Sequence, residues 1–518
     1  MRALRSYVGG RPHEGDGDFT PLVNPSTEEE IAKVSSRGID FGAALDYARE
    51  RGGPALRELG FAQRGELLKA MSRALRDHRD ELLLLSRVNT GTTEPDGAFD
   101  VDGATGTLAY YASLARSLGE GGLVAEDEGA QIGRSEAFWG RHVLVPRNGV
   151  AVHVNAFNFP AWGFAEKAAC ALLAGVPVIT KPATATAWVT ERCVDIVTHA
   201  HVLPEGALQL VCGSTGDLLD RLGPQDVLAF TGSAETARTL ARSPGVGVTN
   251  ARFNVEADSL NAAVLAPDVT DGPTFDLFVR DVVREMRQKT GQKCTAVRRI
   301  LAPAEAIERV QEALASRLGE VVTGNPEDPS VTMGPLATAR QLEDVVAGAA
   351  RLAEHADVVV GGARRVDGLG SPAGKGYFLA PTLLRARDAA APAVHGREVF
   401  GPVATLVAYD GSPEEAARTV ALGGGMLVTS LYGDDHEWLR RYLSAGGSEQ
   451  GRVYVGSRDS AAEAPGSGLA FPHSLHGGPG RAGGGEELGA LAGVRLYMQR
   501  VALQGSRGVV DGLAGGGR

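Results

Sequence analysis

Two residues in this chain combine a reactive side chain with a setting suited to covalent carbonyl chemistry. Cys294 lies in TGQKCTAVRR, in a loop between a helical and a strand-like run, with Gln292, Lys293 and Arg298 close by. Polar and cationic neighbours favour access and the thiolate, which is the nucleophilic form of cysteine. Glu256, in NVEADSLN, ends a strand-like run and is a candidate general base. Asp258 is a competing carboxylate in the same segment, and the residues alone do not rank the two. Cys170 and Cys193 fall inside apolar helical patterns, where cysteine serves as a small hydrophobe. Cys212 ends a strand and its role stays open.

The elements that must position Cys294 and Glu256 follow from periodicity. Residues 40–120 carry the i, i+3, i+4 apolar spacing of helices. Residues 122–150 change to glycine and acidic residues and then AFWGRHVLVPRNG, the pattern of a hairpin or protruding strand pair. From Gly149 short valine-rich runs alternate with helical ones: GVAVHVN, PVITKP, ALQLVCG, DVLAFTG and VGVTNARFNVEA read as strands. That alternation predicts an α/β fold with a doubly wound parallel sheet. Ligands of such sheets bind beyond the carboxyl ends of the strands, so the loops 155–162, 181–184, 212–215, 231–234 and 256–259 should converge on one crevice. A second α/β block starts near Leu260. The glycine-dense HGGPGRAGGGEELG reads as an ordered functional loop, and VRLYMQRVALQG alternates like a strand that pairs with the early hairpin or with a partner subunit.

Bulk properties exclude several classes. A chain of 518 residues is too long for one ordinary core and predicts two substantial domains. A net charge of −11 disfavours nucleic acid and anionic membranes as partners. No export signal is visible in the first residues, and no apolar run reaches the roughly 20 residues that span a bilayer. Four cysteines without CxxC spacing argue against disulfides and a zinc site and fit a reducing cytoplasm. The histidines do not cluster at ligand spacing, so no metal site is expected; His476 reads as a loop histidine that could line a substrate entrance. Only seven lysines are present, which gives each one at a strand end extra weight.

Six strings, NAFNFP (155–160), ITKPA (179–183), FTGS (230–233), the glutamate at 256, GQKCT (291–295) and EVFGP (398–402), occur in the order and approximate spacing of the aldehyde dehydrogenase superfamily, which the whole chain resembles. The resemblance implies a Rossmann-type cofactor domain (1–130 and 150–261), a catalytic α/β domain (262–480) and a small β oligomerisation element (131–149 and 481–508) that makes a homodimer or a dimer of dimers. It also implies roles. Cys294 would attack the aldehyde, Asn158 with the Cys294 N–H would hold the oxyanion, and Glu256 would prime water to hydrolyse the thioester. Phe157, Lys181, Thr184, Thr231, Gly232, Ser233, Glu398 and Phe400 would bind the nicotinamide cofactor. Of these, Lys181 would take ribose hydroxyls or a phosphate, Ser233 would place the pyrophosphate at a helix start, and Glu398 and Phe400 would meet the nicotinamide ribose and ring.

Departures from the common pattern are informative. Many relatives carry a glutamate where this chain has Thr184, and its loss removes repulsion against a 2′-phosphate, so NADP is expected with NAD possible. Ala237 replaces a frequent glycine, and VEADSLN replaces an ELGGK-type string. VREMRQKTGQKCTAVRRILAP, VEADSLN and HGGPGRAGGGEELGALAGVRLYMQR closely resemble the members that oxidise CoA-linked semialdehydes in aerobic aromatic degradation, including benzoate breakdown. The bifunctional members continue into a hydratase domain, and this chain ends at Arg518, which favours a stand-alone relative. Arg298, Arg299 and Arg481 are candidates to meet CoA phosphates. Glutamate-semialdehyde oxidation and an acylating reaction are the alternatives within the family; a non-catalytic binding protein is disfavoured because nucleophile and base are both present.

Overall fold

Valine-rich strands buried on both faces, joined through helices, can only build a parallel sheet, and that sheet forms. In this computed structural model, which describes residues 2–515, its order is Arg252–Glu256, Val227–Thr231, Ala151–Val154, Val178–Lys181 and Leu208–Leu210. Each neighbouring pair is parallel. Ser6–Val8 and Arg11–His13 extend it as an antiparallel edge. The direction of winding reverses between Ala151–Val154 and Val227–Thr231, so the loops after these two strands part and open a crevice.

The second sheet runs Ala356–Val360, Thr382–Ala386, Val403–Tyr409, Arg299–Pro303, Ala262–Leu265, Met426–Tyr432 and Gln450–Gly456. It is parallel except for its first pair. Cys294 enters this sheet from the amino side of Arg299–Pro303, whereas Glu256 leaves the first sheet at a carboxyl end. Chemistry is therefore assembled between the two sheets.

The C-terminal alternation pairs within its own chain: Met498–Gly505 lies antiparallel to Trp139–Pro146 over eight residue pairs. Val124–Ala125 and Ala130–Gln131 pair with the other edge of Trp139–Pro146. One expected strand is shorter than its sequence pattern. In VGVTNARFNVEA, the first residues belong to a helical turn, Pro244–Gly247, and the strand begins only at Arg252. Pro244 starts that turn and Asn250 adopts φ 57°, which breaks the extended run that the valines suggest. Among the described residues, no helix is long and apolar enough to cross a membrane.

Candidate active site

The loop that carries Cys294 is held from several sides. Helix Gly272–Arg287 ends in a tight turn in which Lys289, Thr290 and Gly291 all take positive φ, at 51°, 57° and 66°. A Cβ at residue 291 would lie 2.3 Å from the Gly401 carbonyl oxygen, so only glycine allows this approach. Asn261 donates from Nδ2 to the carbonyls of Cys294 (2.7 Å) and Ala296 (3.0 Å), and Thr295 Oγ1 donates to Gly468 O at 2.9 Å. The Cys294 backbone N–H has no hydrogen-bond partner among the described residues, which leaves it available to a ligand.

Glu256 and His476 both meet Cys294. His476 Nε2 lies 3.6 Å from Cys294 Sγ and 3.2 Å from Glu256 Oε1. All three groups have their functional atoms within 4.8 Å of one another. Glu256 is 2% exposed, and its Oε1 has no aligned hydrogen bond despite that approach. Burial works to raise the Glu256 carboxyl, but the His476 ring and the Lys167 ammonium outweigh it and hold the group ionised, well below the usual range. The Glu256 carboxylate in turn outweighs burial at His476 and raises its pKa. Burial first, and then Glu256, push the Cys294 thiol up, so the resting sulfur is protonated beside an ionised carboxylate able to accept its proton.

Behind Glu256 lies a buried charge cluster. Lys167 Nζ sits 3.2 Å from Glu166 Oε1 and 3.0 Å from Glu487 Oε2. Carboxylate oxygens of Glu166, Glu256 and Glu487 fall within 4.8 Å of one another. Burial raises Glu487 to about 7, with Lys167 partly offsetting it. His476 and Glu487 face each other across the short hairpin Leu475–Gly477 and Glu486–Leu488. That hairpin reaches the site because Gly485 lies flat on the neighbouring strand, where a Cβ would meet Val255 O at 2.3 Å.

A cavity of about 50 Å³ surrounds the thiol, lined by Asn158, Glu256, Cys294 and His476 and walled by Phe99, Phe159 and Trp162. A larger crevice of about 570 Å³ adjoins it. Phe157, Asn158, Thr231, Gly232, Ser233, Glu256, Cys294, Glu398 and Phe400 all line that crevice. Phe157 and Phe400 pack edge to face at 5.8 Å. Glu398 accepts from Arg298 Nε and from the Ser259 N–H, each at 3.0 Å, and burial raises it to about 7. Lys181 and Thr184 flank the crevice through Ala183, which lines it, rather than lining it themselves. Burial lowers the Lys181 ammonium, and the side chain makes no ion pair among the described residues.

A nucleophile, an ionised carboxylate and an adjoining elongated crevice at a sheet's switch point describe a two-substrate enzyme. Residues 13–499 match the model of the Aldehyde dehydrogenase family. The chain belongs to that family. It is 44% identical over 478 residues to the 3,4-dehydroadipyl-CoA semialdehyde dehydrogenase of Aromatoleum evansii, covering 92% of this chain and 93% of that protein. The mouse alpha-aminoadipic semialdehyde dehydrogenase is 26% identical, over 94% of this chain and 85% of its own. Among solved structures, Staphylococcus aureus betaine aldehyde dehydrogenase in complex with NAD+ superposes with a TM-score of 0.84 at 24% identity, covering 97% of this chain and 95% of that one. The protein is an aldehyde dehydrogenase with a Rossmann-type α/β fold.

Several expectations for this aldehyde dehydrogenase need correction. The cations near Cys294 in sequence do not act on its sulfur. Lys293 is fully buried and gives its ammonium to Glu285 (2.9 Å) and Gln288 (2.7 Å). Arg298 bonds Glu398 and the carbonyls of Gly291, Gly401 and Lys293, and Arg299 bonds the carbonyls of Leu260, Thr419 and Val420. Both guanidiniums are sealed in the protein and cannot meet a CoA phosphate. Arg481 bonds the Gly423 and Gly396 carbonyls and lines the larger crevice. Of the five loops expected to converge, 212–215 stays outside the crevice lining, and Cys212 is fully buried. Asp258, the competing carboxylate, accepts from the Ala234 N–H at 3.0 Å. It caps a helix start and leaves Glu256 as the carboxylate beside the sulfur.

Lys167, Glu166 and Glu487 were not singled out by sequence, and His476 was read only as a loop histidine that could line a substrate entrance. Lys167 did carry a signal: an Glu-Lys pair inside GFAEKAACALLAG, a helix otherwise apolar all round, in a chain with seven lysines.

Proposed function

We propose that this aldehyde dehydrogenase oxidises an aliphatic semialdehyde carried on CoA, 3,4-dehydroadipyl-CoA semialdehyde being the first choice, to the free acid with NADP, as a step of aerobic aromatic (benzoate) breakdown. The substrate choice is supported by the Aromatoleum relative at 44% identity. Release by water rather than by a second CoA is supported by one observation above others: Glu256 is ionised and within 4.8 Å of the Cys294 sulfur. An acylating route needs no such base.

In this reading the thiol proton passes to Glu256 as the sulfur adds to the aldehyde carbon. The Asn158 amide and the Cys294 N–H then bind the oxyanion, a placement worth about 3–4 kcal/mol per donor in comparable sites. The crevice residues would hold a nicotinamide cofactor, which would supply the hydride acceptor, and the acyl group would then remain on Cys294 as a thioester. Glu256 deprotonates the attacking water, and the excess proton leaves toward Glu487, whose carboxyl burial has raised to about 7. Phe157 and Phe400 provide an aromatic wall for the ring, and Glu398 has free lone pairs for the ribose hydroxyls. Thr231, Gly232 and Ser233 line the path of the phosphates, where Ser233 caps the short helix Ala234–Leu240.

NADP preference is supported by an unpaired Lys181 beside a neutral Thr184. The same reading includes the division into cofactor domain (1–130, 150–261), catalytic domain (262–480) and oligomerisation element (131–149, 481–508), a homodimer or dimer of dimers, and a cytoplasmic setting. Purified protein with the CoA-linked semialdehyde should form reduced cofactor faster with NADP than with NAD and release the free acid whether or not free CoA is added. Faster reaction with NAD defeats the cofactor assignment; a product that appears only with free CoA defeats the hydrolytic one.

A further inference from the structure

Spacing along the sequence offered no metal-ligand cluster, yet the fold gathers one. Cys294 Sγ, His476 Nε2 and Glu256 Oε1 bring a thiol, an imidazole and a carboxylate together on one side of the small cavity. We propose that this cluster is an inhibitory site for Zn²⁺, which closes the nucleophile reversibly and competes with the aldehyde.

Geometry carries the proposal. Tetrahedral zinc with bonds of about 2.3 Å to sulfur, 2.0 Å to nitrogen and 2.1 Å to oxygen sets S···N near about 3.5 Å and N···O near about 3.4 Å. The corresponding separations here are 3.6 Å and 3.2 Å. A second observation points the same way: Glu256 Oε1 is buried and lacks a hydrogen-bond partner, although His476 Nε2 stands 3.2 Å away. The contact thus has the distance of two ligands on one ion as well as that of an ion pair. The surroundings are also favourable, since Glu166, Glu256 and Glu487 outnumber the Lys167 and Arg452 cations that act on this cluster. The fourth position opens to the cavity that Asn158 lines, where the aldehyde must enter, so water would complete the shell and the substrate could not.

No electrons move. The Cys294 S–H bond breaks and an S–Zn bond forms; that proton and the one His476 carries as imidazolium go to solvent, and the freed imidazole and ionised Glu256 donate lone pairs. Chelation reverses each step. The site does not depend on which aldehyde the enzyme takes, so a failure here leaves the oxidation reading untouched.

The test uses the whole protein, without cofactor or substrate, titrated with Co²⁺ as a spectroscopic probe and with Zn²⁺ as competitor. One Co²⁺ per chain is expected, with a thiolate-to-cobalt charge-transfer band and the intense visible bands of a four-coordinate ion. Both should vanish in Cys294→Ser and on Zn²⁺ addition. His476→Phe, with folding confirmed by thermal melting, should weaken Zn²⁺ at least tenfold and return Cys294 to alkylation by iodoacetamide in the presence of Zn²⁺. A weak six-coordinate spectrum overturns the proposal, as does binding that survives Cys294→Ser. Equal protection of Cys294 in wild type and His476→Phe also overturns it, because the metal would then sit on the thiol alone.

Discussion

His476 and Glu487 stand opposite each other in one short hairpin, and both side chains reach Glu256. A two-stranded ladder places directly opposed residues on the same face, so a single local structure supplies the group that contacts the sulfur and the carboxyl behind the base. In the proposed mechanism Glu256, as the base, is thereby joined to a proton outlet on the side away from the thiol.

That outlet can be separated from the base itself. Glu256→Gln should lower kcat by about 10²–10⁴-fold while retaining an initial burst of about one reduced cofactor per site, because hydrolysis stalls after the first oxidation. Glu487→Gln should lower kcat less and enlarge the solvent isotope effect on the steady-state rate. Rapid-mixing absorbance of reduced cofactor distinguishes the two. Equal burst and steady-state losses in both variants would count against water activation by Glu256.

Lys181 offers a second measurement. Its ammonium makes no ion pair among the described residues, Ala183 two positions on lines the crevice, and a charge-assisted contact to phosphate is worth about 1.5–3 kcal/mol. Lys181→Met should therefore raise the KM for NADP by about 10- to 100-fold and change that for NAD far less. A parallel loss for both cofactors would place the lysine on the ribose instead.

Glu398 gives a pH dependence with a definite sign. Burial lifts its carboxyl to about 7, with Arg298 partly restraining the shift, so the group is neutral below that value and ionised above it. An ionised carboxylate accepts ribose hydroxyls more strongly than a neutral acid. The KM for cofactor should fall as pH rises through about 7. Glu398→Gln should bind cofactor weakly at every pH and flatten the profile.

Gly291→Ala should injure both stability and reactivity. The residue has φ 66°, and a Cβ there would meet Gly401 O at 2.3 Å. A cost of about 1–3 kcal/mol is expected from the backbone alone, visible in thermal melting. The rate of Cys294 alkylation should change with it, since the same turn aims the sulfur.

Much of this arrangement is legible in the sequence, for reasons particular to each part. Glu256 ends a valine-bearing strand and Cys294 follows a glycine-terminated helix, so both announce their positions through local pattern. The alternation of strands and helices after Gly149 likewise specifies a switch point and hence a crevice. His476 gives no such signal, because its partners are Cys294 and Glu256, which lie 182 and 220 positions away in the chain. The role of Lys293 misleads for the opposite reason. It neighbours the nucleophile in sequence, yet its side chain turns back to Glu285 and leaves the sulfur to burial and Glu256. Adjacency along the chain says nothing about which way a side chain points.

The hairpin that brings His476 and Glu487 lies near the end of the chain, while the helix bearing Lys167 comes from its first half. During synthesis the ribosome releases the nucleophile and its base long before these partners exist. Until residues 475–488 emerge and dock, Lys167 and Glu166 lack Glu487, and Cys294 lacks its imidazole. A chain in which residues 475–488 have not yet docked therefore holds Cys294 and Glu256 without the imidazole and the second carboxyl that complete the cluster.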